Sequence, residues 1–143
     1  MKIVNRRAYF DYQILETFEA GINLYGFEVK SVRLGSADLT GSFVKIVGSE
    51  AYLINAKIFA YKYARPESYD EKRTRKLLLH KNEIISLKSK VEGSNLALVP
   101  VSLYTHNHFI KVEVALAKGK KQYDKRRAIK KKDLQRDLEQ SLA

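Results

Sequence analysis

Residues Asn95–Leu116 read NLALVPVSLYTHNHFIKVEVAL. Two apolar runs, Asn95–Tyr104 and Phe109–Leu116, flank a polar THNH turn, a pattern that predicts a β-hairpin. Pro100 has no N–H to give a ladder, so its strand carries an edge or a bulge there. A second hairpin is written in SFVKIV (Ser42–Val47) and AYLINAKI (Ala51–Ile58), joined by the short Gly48-Ser49-Glu50 loop. Upstream, DYQILETFEA (Asp11–Ala20) alternates as a strand does. Tyr12, Ile14, Glu16 and Phe18 fall on one side, and Gln13, Leu15, Thr17 and Glu19 on the other. Gly21 then ends the run, and Ile22–Tyr25 starts another short apolar piece bounded by Gly26.

One helix is written as plainly as the strands. Asn82 caps it, Glu83 occupies the first turn, Ile84, Ile85, Leu87 and Val91 form an apolar face, and Gly93 ends it. Phe27–Leu34 (FEVKSVRL) has both helical spacing and strand-like content, with Gly35 as a candidate C-cap. Six or so short strands with two inserted helices and several Gly turns predict a small closed or nearly closed β-barrel, mainly β in class. Fold of this kind does not by itself decide function.

The chain has 143 residues, enough for one domain and an extension, and 45% apolar content supports a core. With no cysteine it has no disulfide, thiolate zinc site or cysteine nucleophile. No apolar run approaches the roughly 20 residues that span a bilayer, and the start, MKIVNRRAYFDY, lacks a signal-peptide apolar region. A soluble, cytoplasmic protein without a membrane partner is expected.

Charge is unevenly placed. Lys118–Ala143 holds ten basic and four acidic residues, a net of +6, against +5 for the preceding 117 residues. Crowded cations on an apolar-poor segment repel one another, so residues 118–143 are expected to be disordered in the free protein until a polyanion neutralises them. Nucleic acid is such a polyanion, and phosphate neutralisation releases counterions. Residues 1–117 then form the folded domain.

Constellations that would support catalysis are weak. His106 and His108 lie two apart with no third ligand nearby, so a polar hairpin tip explains them better than a metal. Lys118-Gly119-Lys120-Lys121 lacks the upstream Gly and following Ser/Thr of a phosphate loop. Glu16 and Glu19 fall on opposite strand faces, and no Ser sits in a G-x-S-x-G elbow. No enzyme activity, cofactor or metal is expected. In RTRKLLLH (Arg73–His80), Arg73, Arg75 and Lys76 precede Leu77, Leu78 and Leu79. The segment is either a buried strand with a basic flank or a Leu run docked on the barrel with its cations on phosphates; the residues leave both open. Tyr61, Tyr63 and Tyr69 upstream either stack on unpaired bases or pack on the barrel.

ETFEAG (Glu16–Gly21), GFEVKSVRLG (Gly26–Gly35), RTRKLLLHKNEI (Arg73–Ile84) and KVEVALAKGKKQYDKR (Lys111–Arg126) stand in order and at spacings that resemble the SmpB family. These are SsrA-binding proteins, the bacterial partners of transfer-messenger RNA. The resemblance implies an OB-type β-barrel with a tail disordered when free. It also implies non-enzymatic binding to the tRNA-like domain of that RNA, and delivery to stalled ribosomes for trans-translation. By the same resemblance Glu19, Leu78 and Lys111 lie on the RNA-contacting surface, with His80, often Asn in relatives, two residues beyond Leu78. Arg73, Arg75 and Lys76 join them as RNA-binding candidates. Gly119, Lys120, Lys121, Tyr123, Asp124, Lys125 and Arg126 belong to a tail motif. The family's tail engages the decoding centre in 16S rRNA and the empty message channel, where it becomes helical. Leu134, Leu138 and Leu142 recur every four residues, giving a folded tail an apolar stripe. Tyr123 stands where some relatives carry His, and Leu134 where some carry Trp. The chain is expected to act as a monomer. The alternative function is a general rRNA-binding ribosomal accessory protein, and an RNA-processing enzyme is a third class disfavoured by the lack of a catalytic constellation.

Overall fold

A computed structural model of the chain describes residues 2–62 and 68–120. Its elements are β1 (Lys2–Val4), α1 (Arg6–Asp11), β2 (Tyr12–Ile22), α2 (Gly26–Arg33), β3 (Ala37–Asp38), β4 (Phe43–Val47), β5 (Glu50–Ile54), β6 (Lys57–Ile58), β7 (Arg75–Leu78), α3 (Lys81–Ser94), β8 (Ala97–His106) and β9 (Phe109–Gly119). Antiparallel pairings run β8–β4–β5–β7–β2–β9 and return to β8, so six strands close a ring, with β1 added on β8. The mainly β, OB-type expectation holds. Closure between β4 and β8 rests on the Val44–Leu98 pair. Beside that seam the buried Asn5 side chain donates to the carbonyls of Pro100 at 2.8 Å and Leu39 at 3.2 Å, and accepts from the Ala8 N–H to cap α1.

Two bulges decide which side chains face outward. In β2, Ile14 pairs Ala117 but Glu16 pairs Leu116, leaving Leu15 as the extra residue. In β8, Pro100 pairs Val114 but Ser102 pairs Glu113, which places the expected irregularity at Pro100 and Val101. A bulge flips the faces of the strand beyond it. Tyr12 and Ile14 therefore pack with Ala8, Val99, Val101, Ala115 and Ala117 under α1, outside the ring. Phe18, Ala20 and Ile22 turn inward to join Leu53, Leu77, Leu103, Val112 and Val114 in the main core. The single-sided grouping of Tyr12, Ile14, Glu16 and Phe18 is thus corrected.

Gly21 does not end its strand. It pairs Leu78 on β7 and Lys111 on β9, and β2 runs on to Ile22. The cap of helix α3 lies two residues before the expected Asn82: the Glu83 carboxylate accepts from the His80 N–H at 3.2 Å, making His80 the N-cap. Its far end is Asn95 in the left-handed region (φ 53°), one residue beyond the last helical turn, and Gly93 lies within the helix. Phe27–Leu34 resolves as helix α2, finished by Gly35 at φ 76° with Ser36 N–H on the Ser31 carbonyl and Gly35 N–H on Val32.

The folded part extends past residue 117. Lys118 and Gly119 pair with Gln13 and Tyr12, and Lys120 donates from its N–H to the Asp11 carbonyl and from Nζ to Tyr9. Gly119 and Lys120 are therefore held by backbone hydrogen bonds rather than free. The expectations for Tyr63, Lys121, Tyr123, Asp124, Lys125, Arg126 and the Leu134, Leu138 and Leu142 stripe lie outside the described residues. No helix among the described residues is long and apolar enough to cross a membrane.

Candidate nucleic-acid interface

Strand register builds one continuous row on the outer face of the ring. Lys2 pairs Tyr104, Tyr104 pairs Lys111, Lys111 pairs Gly21, and Gly21 pairs Leu78. Directly paired residues point to the same face, so five strands present Lys2, Tyr104, Lys111, Gly21 and Leu78 side by side. The adjoining row is Ser102, Glu113 and Glu19. The other half of this outer face, toward Ala115 and Ala117, is covered by α1. The open half thus carries two of the three family-matched positions in cross-strand contact with Gly21, and Glu19 one step away.

Glu19 is held there by groups distant in sequence. The Tyr104 hydroxyl donates to its Oε2, and His106 Nδ1 lies 3.3 Å from its Oε1. Tyr104's hydrogen bond, then His106 and the Lys111 charge, hold the Glu19 carboxyl below its usual range. Burial and the same carboxylate push the Tyr104 hydroxyl well up, so it remains a donor at neutral pH. Both carboxylate oxygens are engaged while the side chain stays 40% exposed. A fixed, ionised, solvent-facing acceptor beside a lysine suits ribose hydroxyls or base edges.

Leu78 is 57% exposed and leans over Gly21: a Cβ added at Gly21 would sit 3.1 Å from Leu78 Cβ. The leucine side chain thus covers the place where a side chain at position 21 would stand, and offers an apolar surface beside Lys111. His80 is exposed at the start of α3. Lys76, on the same strand face as Leu78, is exposed and pairs with Glu50 at 3.0 Å.

Arg75 belongs elsewhere. Its side chain is fully buried, donating to Glu28 at 2.6 and 2.8 Å, to the Ala56 carbonyl at 2.7 Å and to the Tyr69 hydroxyl at 3.0 Å. A guanidinium so enclosed reaches no phosphate, and the RNA-contact expectation for Arg75 is corrected on that ground. Arg73 is intermediate: Nε lies 3.2 Å from both Glu28 oxygens and its guanidinium carbon 4.1 Å from the Tyr25 ring centre. Tyr69 too is structural, bonding Glu28 at 2.8 Å and the Ile58 carbonyl at 3.0 Å and meeting Phe27 edge-on. Its hydroxyl is pushed up to about 12 by burial and by Glu28.

Sequence reasoning missed Lys2, Tyr104 and Phe109 as outer-face neighbours, and the role of His106 beyond a polar tip. The tip itself contained the signal, because Asn107 and His108 alone form the turn (φ 50° and 69°), which fixes the register of everything after it. Among the described residues no three His, Asp or Glu side chains gather closely enough to hold a metal ion.

The architecture defines a small OB-type ring whose open outer face is polar and carries both lysines and carboxylates. A family model described as SmpB protein matches residues 2–143. An SsrA-binding protein of Persephonella marina is 50% identical over 134 residues, 94% of this chain and 88% of its own. One from a Sulfurihydrogenibium species is 51% identical over 137 residues, 96% and 90%. A solved structure described as "tmRNA-SmpB: a journey to the center of the bacterial ribosome" contains a chain 48% identical, with a TM-score of 0.71 and 85% of each chain covered. The chain belongs to the SmpB family.

Proposed function

We propose that this chain is a cytoplasmic, non-enzymatic adaptor that binds the tRNA-like domain of transfer-messenger RNA and brings it to stalled ribosomes for trans-translation. The observation that carries the reading is the Lys2–Tyr104–Lys111–Gly21–Leu78 row with Glu19 clamped beside it. Cations there take phosphates, Glu19 accepts from ribose or base, and Leu78 offers an apolar platform. Residues from Lys121 onward, including Tyr123, Asp124, Lys125 and Arg126, then serve the ribosome, in the decoding centre and message channel.

The test is a salt series of binding to the tRNA-like domain beside an elongator tRNA of equal length. Preference for the former is expected to persist as salt rises. Lys111→Ala is expected to weaken binding and reduce the magnitude of the salt slope by about one. Deleting residues 121–143 is expected to spare most of the RNA affinity and abolish tagging. Loss of RNA binding on that deletion overturns this division of labour. Equal affinity for unrelated structured RNAs would favour the general rRNA-binding alternative.

A further inference from the structure

Phe109 is 69% exposed, among the most exposed of the large apolar side chains. Singly exposed apolar residues are ordinary, but this one is placed with care. It opens β9 opposite His106 and alternates with Lys111 and Glu113, so it stands on the same outer face as the rows above. Lys111 Nζ lies 5.9 Å from its ring centre, and the Glu19–His106 contact is one cross-strand pair away. Two contacts define the backbone that presents it. Asn107 and His108 form a two-residue turn with both φ angles positive, a type that fits the hairpin twist. Arg33 Nη2 from α2 also donates to the His108 carbonyl at 3.2 Å.

We propose that the Phe109 ring is a stacking platform for an unpaired base in a loop of the bound RNA, with Lys111 taking an adjacent phosphate. The proposal rests on the RNA-binding reading above and extends its face to the β8–β9 hairpin tip. Aromatic rings stack on any exposed base, whereas bases within a duplex offer no free face. The occupant follows from continuity: the ring adjoins a cation and a fixed acceptor, the two other groups a nucleotide needs. Preorganisation by the turn and Arg33 limits the entropy lost on binding.

The chain contains no Trp, so Phe109→Trp makes a single fluorescent reporter at the platform itself. Titrated with the tRNA-like domain of transfer-messenger RNA, this variant is expected to bind as the wild type does, with indole emission quenched at saturation. Phe109→Ala and Phe109→Leu, each melting as the wild type, are expected to lose roughly tenfold in affinity. Leucine keeps apolar area but has no π face, so wild-type affinity for Phe109→Leu overturns the proposal. Unchanged indole emission at saturation, or wild-type affinity for Phe109→Ala, overturns it too. Lys111→Ala separates the two levels: if it weakens binding while the Phe109 variants do not, only the platform fails. If neither has an effect, the outer face is not the RNA site.

Discussion

Two carboxylates in this protein are surrounded by the same chemistry with opposite consequences. Glu28 gathers Arg73, Arg75 and the Tyr69 hydroxyl; Glu19 gathers His106, the Tyr104 hydroxyl and the nearby Lys111 charge. Glu28 is fully buried at the start of α2, where it also accepts from the Tyr25 N–H at 2.9 Å. Glu19 stands on an open strand face. Burial makes the first a fold determinant, because neither its charge nor that of Arg75 has an alternative partner in water. Exposure makes the second a recognition group, whose stability contribution is small and whose geometry is available to a ligand.

Glu28→Ala is the hardest test of this contrast. It strands the fully buried Arg75 guanidinium, a change that costs about 3–5 kcal/mol when one partner of a buried pair is removed. Urea or thermal unfolding should report it, with the melting temperature falling on the order of 10 °C. A variant that melts like the wild type would mean water enters the cluster and that Glu28 is no more structural than Glu19.

Acid should expose the same difference without mutation. Burial works to raise the Glu28 carboxyl, but Arg73, the Tyr25 N–H, Arg75 and Tyr69 outweigh it and hold the value below the ordinary 4.5. A depressed folded value means the stabilisation is complete above about 4.5 and drains away as pH falls through the lower, folded value. Stability measured by urea unfolding should therefore decline below pH 4.5 in the wild type. That decline should be shallower in Glu28→Gln and only slightly altered in Glu19→Gln, whose carboxyl is also lowered but is exposed and screened by solvent.

At Glu19 the expected effects reverse. Glu19→Gln should change stability by within about 0.5 kcal/mol. It should still cost the RNA complex about tenfold, the scale of a charge-assisted hydrogen bond. Removing a negative charge also strengthens attraction for any polyanion. Preference for the tRNA-like domain over an elongator tRNA should consequently shrink more than total affinity does. Filter-binding with both RNAs separates these, and unaltered preference would take Glu19 out of recognition.

The contrast between the carboxylates was not legible in the sequence, and the reason is distance along the chain. Arg75 meets Glu28 across 47 positions, and Tyr104 and His106 reach Glu19 across 85 and 87. Nothing local tells the arginine in RTRKLLLH that is swallowed from the one that is half-open. Local signals did better. Alternating apolar runs placed both hairpins, Pro100 marked a bulge that exists, and Glu83 marked the first turn of α3. Glycine misled at Gly21, where it relieves a cross-strand contact rather than ending a strand, and the bulge at Leu15 reversed half of β2's faces. The family blocks identified Glu19, Leu78 and Lys111, but only register shows that Gly21 joins the last two.

Gly21→Ala asks whether that join matters, and its expected effect on folding is the smallest. The new Cβ would meet Leu78 Cβ at 3.1 Å, a few tenths of an ångström closer than ordinary contact, and since a Cβ moves only with its backbone the two strands must part by that small amount. The methyl also restricts the unfolded chain, a gain of about 0.4–1 kcal/mol where the backbone is compatible, which offsets most of the crowding. Net stability in urea should therefore stay within about 0.5 kcal/mol of the wild type. The outer face should respond more than the fold, since the methyl presses on Leu78 and shifts it relative to Lys111. A several-fold loss of affinity for the tRNA-like domain at unchanged stability would make the placement of Leu78 over Gly21 part of the RNA seat. Unchanged affinity would confine recognition to the Glu19 side of the row and leave Leu78 a bystander on the ring.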